Sequence, residues 1–217
     1  TTEIYTLSLH DALPIYIPVK TIVDNPALLP ADLDAPIVVY CKSGTRSTFA
    51  WTMLNLLGYT NVRNMSAGMD GWLGAQFGAE EGLAPAEEIS TAIIADEKLY
   101  MAVKEIANNP PESWASVKNV DVNEMLINAE DFVLVDNRRA DEYAEGYIDP
   151  AINIPLEEMM SRLGELDKTS KIIIYCRSGV RGLVGTLALR LSGFDNAYNM
   201  SGGILGWQAA ELPVVTP

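Results

Sequence analysis

The two cysteines are the residues of this chain whose type and surroundings point most directly to chemistry. Cys41 and Cys176 are the only cysteines, and each follows an aliphatic run and opens the pattern Cys-(Lys/Arg)-Ser-Gly-(Thr/Val)-Arg. Nearby cations and the positive end of a helix favour a thiolate, which is the nucleophilic form of cysteine. The candidate sites are Cys41 with Lys42, Ser43, Gly44, Thr45 and Arg46, and Cys176 with Arg177, Ser178, Gly179, Val180 and Arg181.

Other interpretations of the cysteines remain at this point. Free cysteines are often inert core residues, although recurrence of the whole loop argues against that interpretation. A disulfide is disfavoured because equivalent positions in two globular copies lie in separate pockets. His10 is the only histidine, so neither a Cys-His nucleophile pair nor a structural zinc site can be assembled within one copy. We expect no metal and no cofactor.

The loop belongs to a long internal repeat. A constant offset of 135 residues relates the two loops and continues without a gap to Gly71-Trp72 and Gly206-Trp207. A repeat of this length indicates a duplicated domain. We expect a first domain at residues 1–78, an acidic linker with one helix (96–107) at 79–115, and a complete second domain at 116–217.

The first copy is expected to be incomplete at its N-terminus. Its similarity to the second copy begins at Ile17-Pro18, which matches Ile154-Pro155, and nothing before it matches residues 132–138. The first domain therefore lacks an opening strand and helix unless residues 1–16 replace them. Residues 5–15 resemble a peptide translated from sequencing-adapter DNA, so 1–16 are either an ordinary strand and turn or a non-native segment.

The second copy alternates between strand and helix patterns. Continuous apolar runs such as Ile172-Ile173-Ile174 are typical of strands covered on both faces, which predicts an α/β fold with a parallel sheet flanked by helices. A cysteine that ends such a strand lies at the carboxyl edge of the sheet, where these folds bind ligands. The expected strands are 132–136, 151–154, 171–175 and 197–199, and the expected helices are 121–128, 140–145, 156–163 and 181–192.

Charge narrows the choice of partner. The net charge of −14 disfavours nucleic acid and anionic membranes as partners, and no apolar stretch is long enough to span a bilayer. The basic residues beside the two cysteines suit a small anion instead.

The second copy resembles the rhodanese family. The resemblance rests on the 176–181 loop, on Asp136-Asn137-Arg138, on Glu142-Tyr143-Ala144-Glu145-Gly146 and on the closing Gly202-Gly203-Ile204-Leu205-Gly206-Trp207. It implies a sulfurtransferase that takes sulfur from thiosulfate or a similar donor as a cysteine persulfide. It further implies transfer of that sulfur to cyanide, to a thiol or to a protein acceptor.

Roles of individual residues follow from the resemblance. It makes Cys176 the main sulfur carrier and Cys41 the secondary candidate, with the loop amides cradling the persulfide. Arg177 and Arg181 would hold the anionic donor. Asp136 and Arg138 would support the site by tying the sheet edge to the active loop.

Two other functions stay open. One is a persulfide carrier or binding module that works only with a protein partner. The other is a cysteine phosphatase, although phosphatase loops of this fold have one more residue between cysteine and arginine. The default location is the cytoplasm.

Overall fold

A computed structural model describes residues 5–6, 15–65, 67–79, 87–88 and 96–216. The chain divides into two compact units, Thr1–Trp114 and Ala115–Pro217, and each is described by itself. Within the described residues, no helix is both long and apolar enough to cross a membrane.

The first unit is built on a four-stranded sheet. Its strands are β1 (Tyr5–Thr6), β2 (Ile15–Tyr16), β3 (Ile37–Tyr40) and β4 (Val62–Asn64), in the order β2-β1-β3-β4. Its helices are α1 (Val19–Asp24), α2 (Thr45–Leu56), α3 (Gly68–Gly74) and α4 (Glu97–Asn108), with 3-10 turns at Pro26–Leu28 and Glu112–Ala115.

Strand β1 takes the place of the opening strand that the repeat lacks in this copy. It pairs antiparallel with both β2 and β3, whereas β3 pairs parallel with β4. An antiparallel neighbour needs only a short connection, while a parallel one needs a crossover of a dozen or more residues. The first sheet is therefore mixed. Residues 1–4 and 7–14, part of the segment questioned above, lie outside the described residues.

Helix α4 packs on the first unit, although the sequence suggested a linker at 79–115. The Tyr100 hydroxyl donates to the Val23 carbonyl at 2.6 Å, and Lys104 pairs with Asp24 at 3.2 Å. Tyr100 and Val103 are buried. The compact first unit thus extends to Trp114, beyond the boundary expected at residue 78.

The second unit has a five-stranded, wholly parallel sheet. Its strands are β5 (Ser116–Val117), β6 (Val133–Asp136), β7 (Ile152–Asn153), β8 (Ile172–Tyr175) and β9 (Ala197–Met200). They are arranged in the order β5-β9-β8-β6-β7. The helices are α5 (Asn119–Ile127), α6 (Ala140–Ala144), α7 (Val180–Leu191) and α8 (Gly203–Ala209).

The central strand β8 is buried on both faces, as its apolar run predicted. Ile173 and Tyr175 join one apolar cluster with Trp207, and Ile172 and Ile174 join the cluster on the opposite face. The expected α/β class with helix-flanked sheets is confirmed.

The helix expected at 156–163 is instead a pair of 3-10 turns, Met159–Ser161 and Leu163–Glu165. Gly164 lies inside this segment, and a glycine weakens a continuous α-helix.

Candidate functional site

The second site is formed where β8 ends and α7 begins. Cys176 follows the last residue of β8, and Gly179 precedes α7 with a positive φ of 95°. This turn aims the Gly179 N–H at the Cys176 Sγ, at 3.0 Å, and the cysteine is only 1% exposed. A backbone N–H aimed at sulfur at the start of a helix stabilises negative charge there.

The start of α8 braces the same loop from the other side. The Ile204 and Leu205 N–H groups donate to the carbonyls of Cys176 and Arg177, at 2.8 and 3.0 Å. Gly203 has a φ of +56°, and a Cβ at this position would overlap the Cys176 carbonyl. The closing glycine motif is therefore required by the close approach of two backbone segments.

The remaining loop residues differ in exposure. Arg177 and Ser178 are exposed, Gly179 is buried, and Val180 and Arg181 are half-buried. Arg177 and Ser178 are thus the loop residues most accessible to solvent.

Arg181 is already engaged by a carboxylate. Its two terminal nitrogens donate to the two carboxylate oxygens of Glu142, each at 2.7 Å. This charge-assisted pair lowers the pKa of Glu142 to about 2, chiefly through the hydrogen bonds from Arg181. The pKa of Arg181 is raised, chiefly by its hydrogen bonds to Glu142 and to a smaller extent by Cys176.

Asp136 and Arg138 form a buried pair at the end of β6. The Arg138 guanidinium donates to Asp136 at 2.6 Å, and its remaining bonds go to the carbonyls of Glu142 and Gly146. The Tyr175 hydroxyl accepts from the Ile148 N–H at 3.0 Å. This network fixes the segment that carries α6, and with it Glu142.

The direct tie between β6 and the helix of the active loop comes from Asn137. Its side-chain amide donates to the Arg181 carbonyl at 2.9 Å, and its backbone N–H donates to the Tyr175 carbonyl at 2.9 Å. Asn137 is fully buried. The sequence singled out Asn137 only as part of the motif Asp136-Asn137-Arg138.

The first site repeats the loop geometry. The Gly44 N–H donates to the Cys41 Sγ at 3.1 Å, Gly44 has a φ of +98°, and Cys41 is fully buried. Lys42 and Ser43 are exposed. Thr45 and Arg46 are half-buried. The structure therefore brings each set of predicted loop residues together around its own cysteine.

A hydroxyl distinguishes the first site from the second. Burial raises the pKa of Cys41, but hydrogen bonds from the Ser47 backbone and hydroxyl and from the Gly44 and Ser43 backbones outweigh burial and lower it. The Ser47 hydroxyl has a single proton, and the Gly44 carbonyl, at 3.0 Å, is the alternative acceptor to the sulfur. Ser47 lies one residue beyond the loop predicted from the sequence, which ends at Arg46.

The second site has Gly182 where the first has Ser47. A Cβ on Gly182 would overlap the Asn199 side chain, so a serine does not fit without displacement of that side chain. In the first unit the equivalent Asn64 donates to Thr48 instead, at 2.8 Å. The two sites thus have the same loop geometry but differ in the residue that follows the loop, Ser47 in one and Gly182 in the other.

Comparison with known proteins finds the same family in both units. The rhodanese-like domain family matches residues 12–75 and 119–210. A sulfurtransferase from Allochromatium vinosum is 35% identical over 96 residues, which cover 44% of this chain and 90% of that protein. A tRNA uridine(34) hydroxylase from Erwinia tasmaniensis is 36% identical over 97 residues, which cover 42% of this chain but only 27% of that protein.

Solved structures with similar folds include a rhodanese-related protein from Thermoplasma volcanium, with 27% identity and a TM-score of 0.43, covering 47% of this chain and 98% of that one. A thiosulfate sulfurtransferase from Pseudomonas aeruginosa has 25% identity and a TM-score of 0.45, covering 92% of this chain and 36% of that one. Each of the two family matches contains one cysteine loop. The chain therefore belongs to the rhodanese-like sulfurtransferase family and carries two copies of its domain.

Proposed function

We propose that this protein transfers a sulfane sulfur from thiosulfate or a similar small anionic donor to a thiophilic acceptor, either cyanide or a thiol. The thiol can belong to a small molecule or to a protein. The observation that carries this proposal is the Gly179 N–H aimed at Cys176 Sγ at 3.0 Å, together with the exposed basic side chain of Arg177, which follows the cysteine.

The reaction takes two steps at one sulfur. The Cys176 thiolate attacks the outer sulfur of thiosulfate, a new S–S bond forms, and sulfite leaves with the electrons of the broken S–S bond. The acceptor then attacks the terminal sulfur of the persulfide, and the thiolate is released. Cyanide is converted to thiocyanate in this step. Because the enzyme carries sulfur between the two steps, steady-state kinetics are expected to be ping-pong.

The described contacts suggest how the residues divide the work. The Gly179 amide stabilises negative charge on the sulfur, Arg177 and Ser178 meet the donor at the surface, and Arg181 ends the loop that Cys176 opens. Backbone donors held in place by the fold need no reorganisation when charge develops. Asp136 and Arg138 support this arrangement from the end of β6.

Peptide mapping of the two cysteines tests the proposal. The protein is incubated with thiosulfate, freed of excess donor, and analysed by intact mass and by mapping of the two cysteine peptides. We expect an added sulfur on Cys176, loss of turnover to background in Cys176→Ala, and little change in the matched variant Cys41→Ala. Equal losses in both variants would contradict the ranking of Cys176 above Cys41.

A persulfide carrier is the second candidate. The engagement of both terminal nitrogens of Arg181 by Glu142 favours it, because less positive charge then remains for a free anion. Sulfuration of Cys176 by a protein persulfide, but not by saturating thiosulfate, would establish the carrier and refute direct use of thiosulfate.

A further inference from the structure

Glu142 lies next to the second site but was not among the residues predicted for it. Helix α6 presents its carboxylate to Arg181, and the two terminal nitrogens of the guanidinium meet the two carboxylate oxygens, at 2.7 Å each. This is the geometry in which arginine recognises planar or tetrahedral oxyanions. The carboxylate thus occupies the donor groups that an incoming anion would need.

The same guanidinium belongs to the cysteine loop, because Arg181 ends the loop that Cys176 opens. The side chains of Arg181 and Glu142 are mostly covered, with 32% and 18% exposed. Pairs that are partly shielded from water are weakened less by salt than pairs on the open surface. Glu142 and a donor bound at Cys176 therefore share one guanidinium.

Glu142 is charged at neutral pH. Hydrogen bonds from Arg181 hold its pKa at about 2, so the carboxylate is ionised at neutral pH. A second cation, Arg139, approaches Glu142 only at 3.9 Å and is itself 61% exposed. The carboxylate consequently cancels most of the positive charge that Arg181 would offer.

We propose that Glu142 is a specificity-determining residue that competes with anionic sulfur donors for Arg181. A dianion such as thiosulfate must displace the carboxylate, whereas an uncharged organic polysulfide has no need of the guanidinium. Glu142 therefore disfavours small dianions and shifts the site toward sulfane sulfur carried on organic thiols. This inference rests on the sulfurtransferase function proposed above.

The test compares Glu142→Gln with Glu145→Gln in a Cys41→Ala background, so that only the second site reports. Glu145 is an exposed acidic residue that follows α6, and its variant makes the same change in net charge. With thiosulfate, we expect Glu142→Gln to lower KM about fivefold with little change in kcat. A change of this size corresponds to the loss of one partly exposed ion pair. With an uncharged organic trisulfide, we expect KM to stay within about twofold.

Direct binding provides a second readout that does not depend on turnover. Thiosulfate is titrated calorimetrically into Cys176→Ser, with and without Glu142→Gln, and the dissociation constant is expected to fall about fivefold. An unchanged or weaker affinity, or a raised KM in the kinetic test, would overturn competition and make Glu142 a positioning residue for Arg181.

Failure of the proposed function would give a different experimental result from failure of the competition alone. If Cys41→Ala with native Glu142 accepts sulfur from neither thiosulfate nor the trisulfide, sulfur transfer at this site is refuted and the competition that depends on it falls as well. If it accepts sulfur but the Glu142→Gln variant behaves like Glu145→Gln, only the competition is refuted.

Discussion

Replacement of Gly203 by alanine is expected to damage the second site through the backbone alone. A Cβ on Gly203 would lie 2.7 Å from the Arg177 carbonyl carbon and closer still to the Cys176 carbonyl oxygen. Both neighbours are backbone atoms of the active loop, so they cannot turn aside as a flexible side chain could. The loop must move, or α8 must withdraw from it.

The expected size of the effect follows from two contributions. A φ of +56° is a left-handed conformation that costs a residue with a Cβ about 1 to 2 kcal/mol. Overpacking against backbone adds about 1 to 3 kcal/mol. We expect the free energy of unfolding of the second unit to fall by about 2 to 5 kcal/mol.

Two measurements check this prediction. Urea unfolding reports the stability, and peptide mapping after thiosulfate treatment reports sulfuration of each cysteine. Sulfuration of Cys176 should drop while that of Cys41 in the same chain stays unchanged. The matched variant is Gly164→Ala, because a Cβ there meets nothing within 4 Å. The reasoning is refuted if Gly203→Ala loses no more stability or sulfuration than Gly164→Ala does.

Two further predictions concern the groups around the sites. Hydrogen bonds lower the pKa of Cys41 despite its burial, so its alkylation by iodoacetamide should reach half-maximal rate below the ordinary thiol pKa. Ser47→Ala should move that midpoint to higher pH, because it removes a donor that stabilises the thiolate. Asp136→Asn should lower the free energy of unfolding of the second unit by about 3 kcal/mol in urea, because it leaves the buried charge of Arg138 uncompensated.

Both predictions have internal controls. Cys176 has Gly182 in place of a serine, so its alkylation profile in the Ser47→Ala protein should not change; a shift at Cys176, or none at Cys41, would count against the role of the hydroxyl. Asp141→Asn breaks an exposed pair and should cost less than about 1 kcal/mol. A loss at Asp136 no larger than this would mean that the buried charge is compensated in another way.

Much of the fold was predictable because it depends on short-range patterns. The apolar run before Cys176 marks a buried strand, and the glycine and basic residues after it mark a turn into a helix. The strand and helix boundaries of the second unit are mostly within two residues of those expected. The 3-10 turns around Gly164 were missed because apolar spacing does not distinguish them from an α-helix.

Most contacts between distant residues at the candidate site could not be predicted from the sequence. Glu142 and Arg181 are 39 residues apart, and their pairing depends on the angle at which α6 leaves β6. Gly182 and Asn199 likewise meet only because α7 packs over β9. The signal that could have pointed to Glu142 is its place in the family motif between Arg138 and Gly146.

The sequence by itself determined that the chain holds two copies of one α/β unit, that each copy has a cysteine loop, and which residues make up each loop. Those properties follow from repeated residues and from the local link between apolar runs and strands. Tertiary structure alone decided that β1 joins the first sheet antiparallel, that α4 belongs to the first unit, and that a carboxylate occupies Arg181. Each of these is a contact between residues distant in the chain, and such contacts are set by packing geometry, which local patterns do not encode.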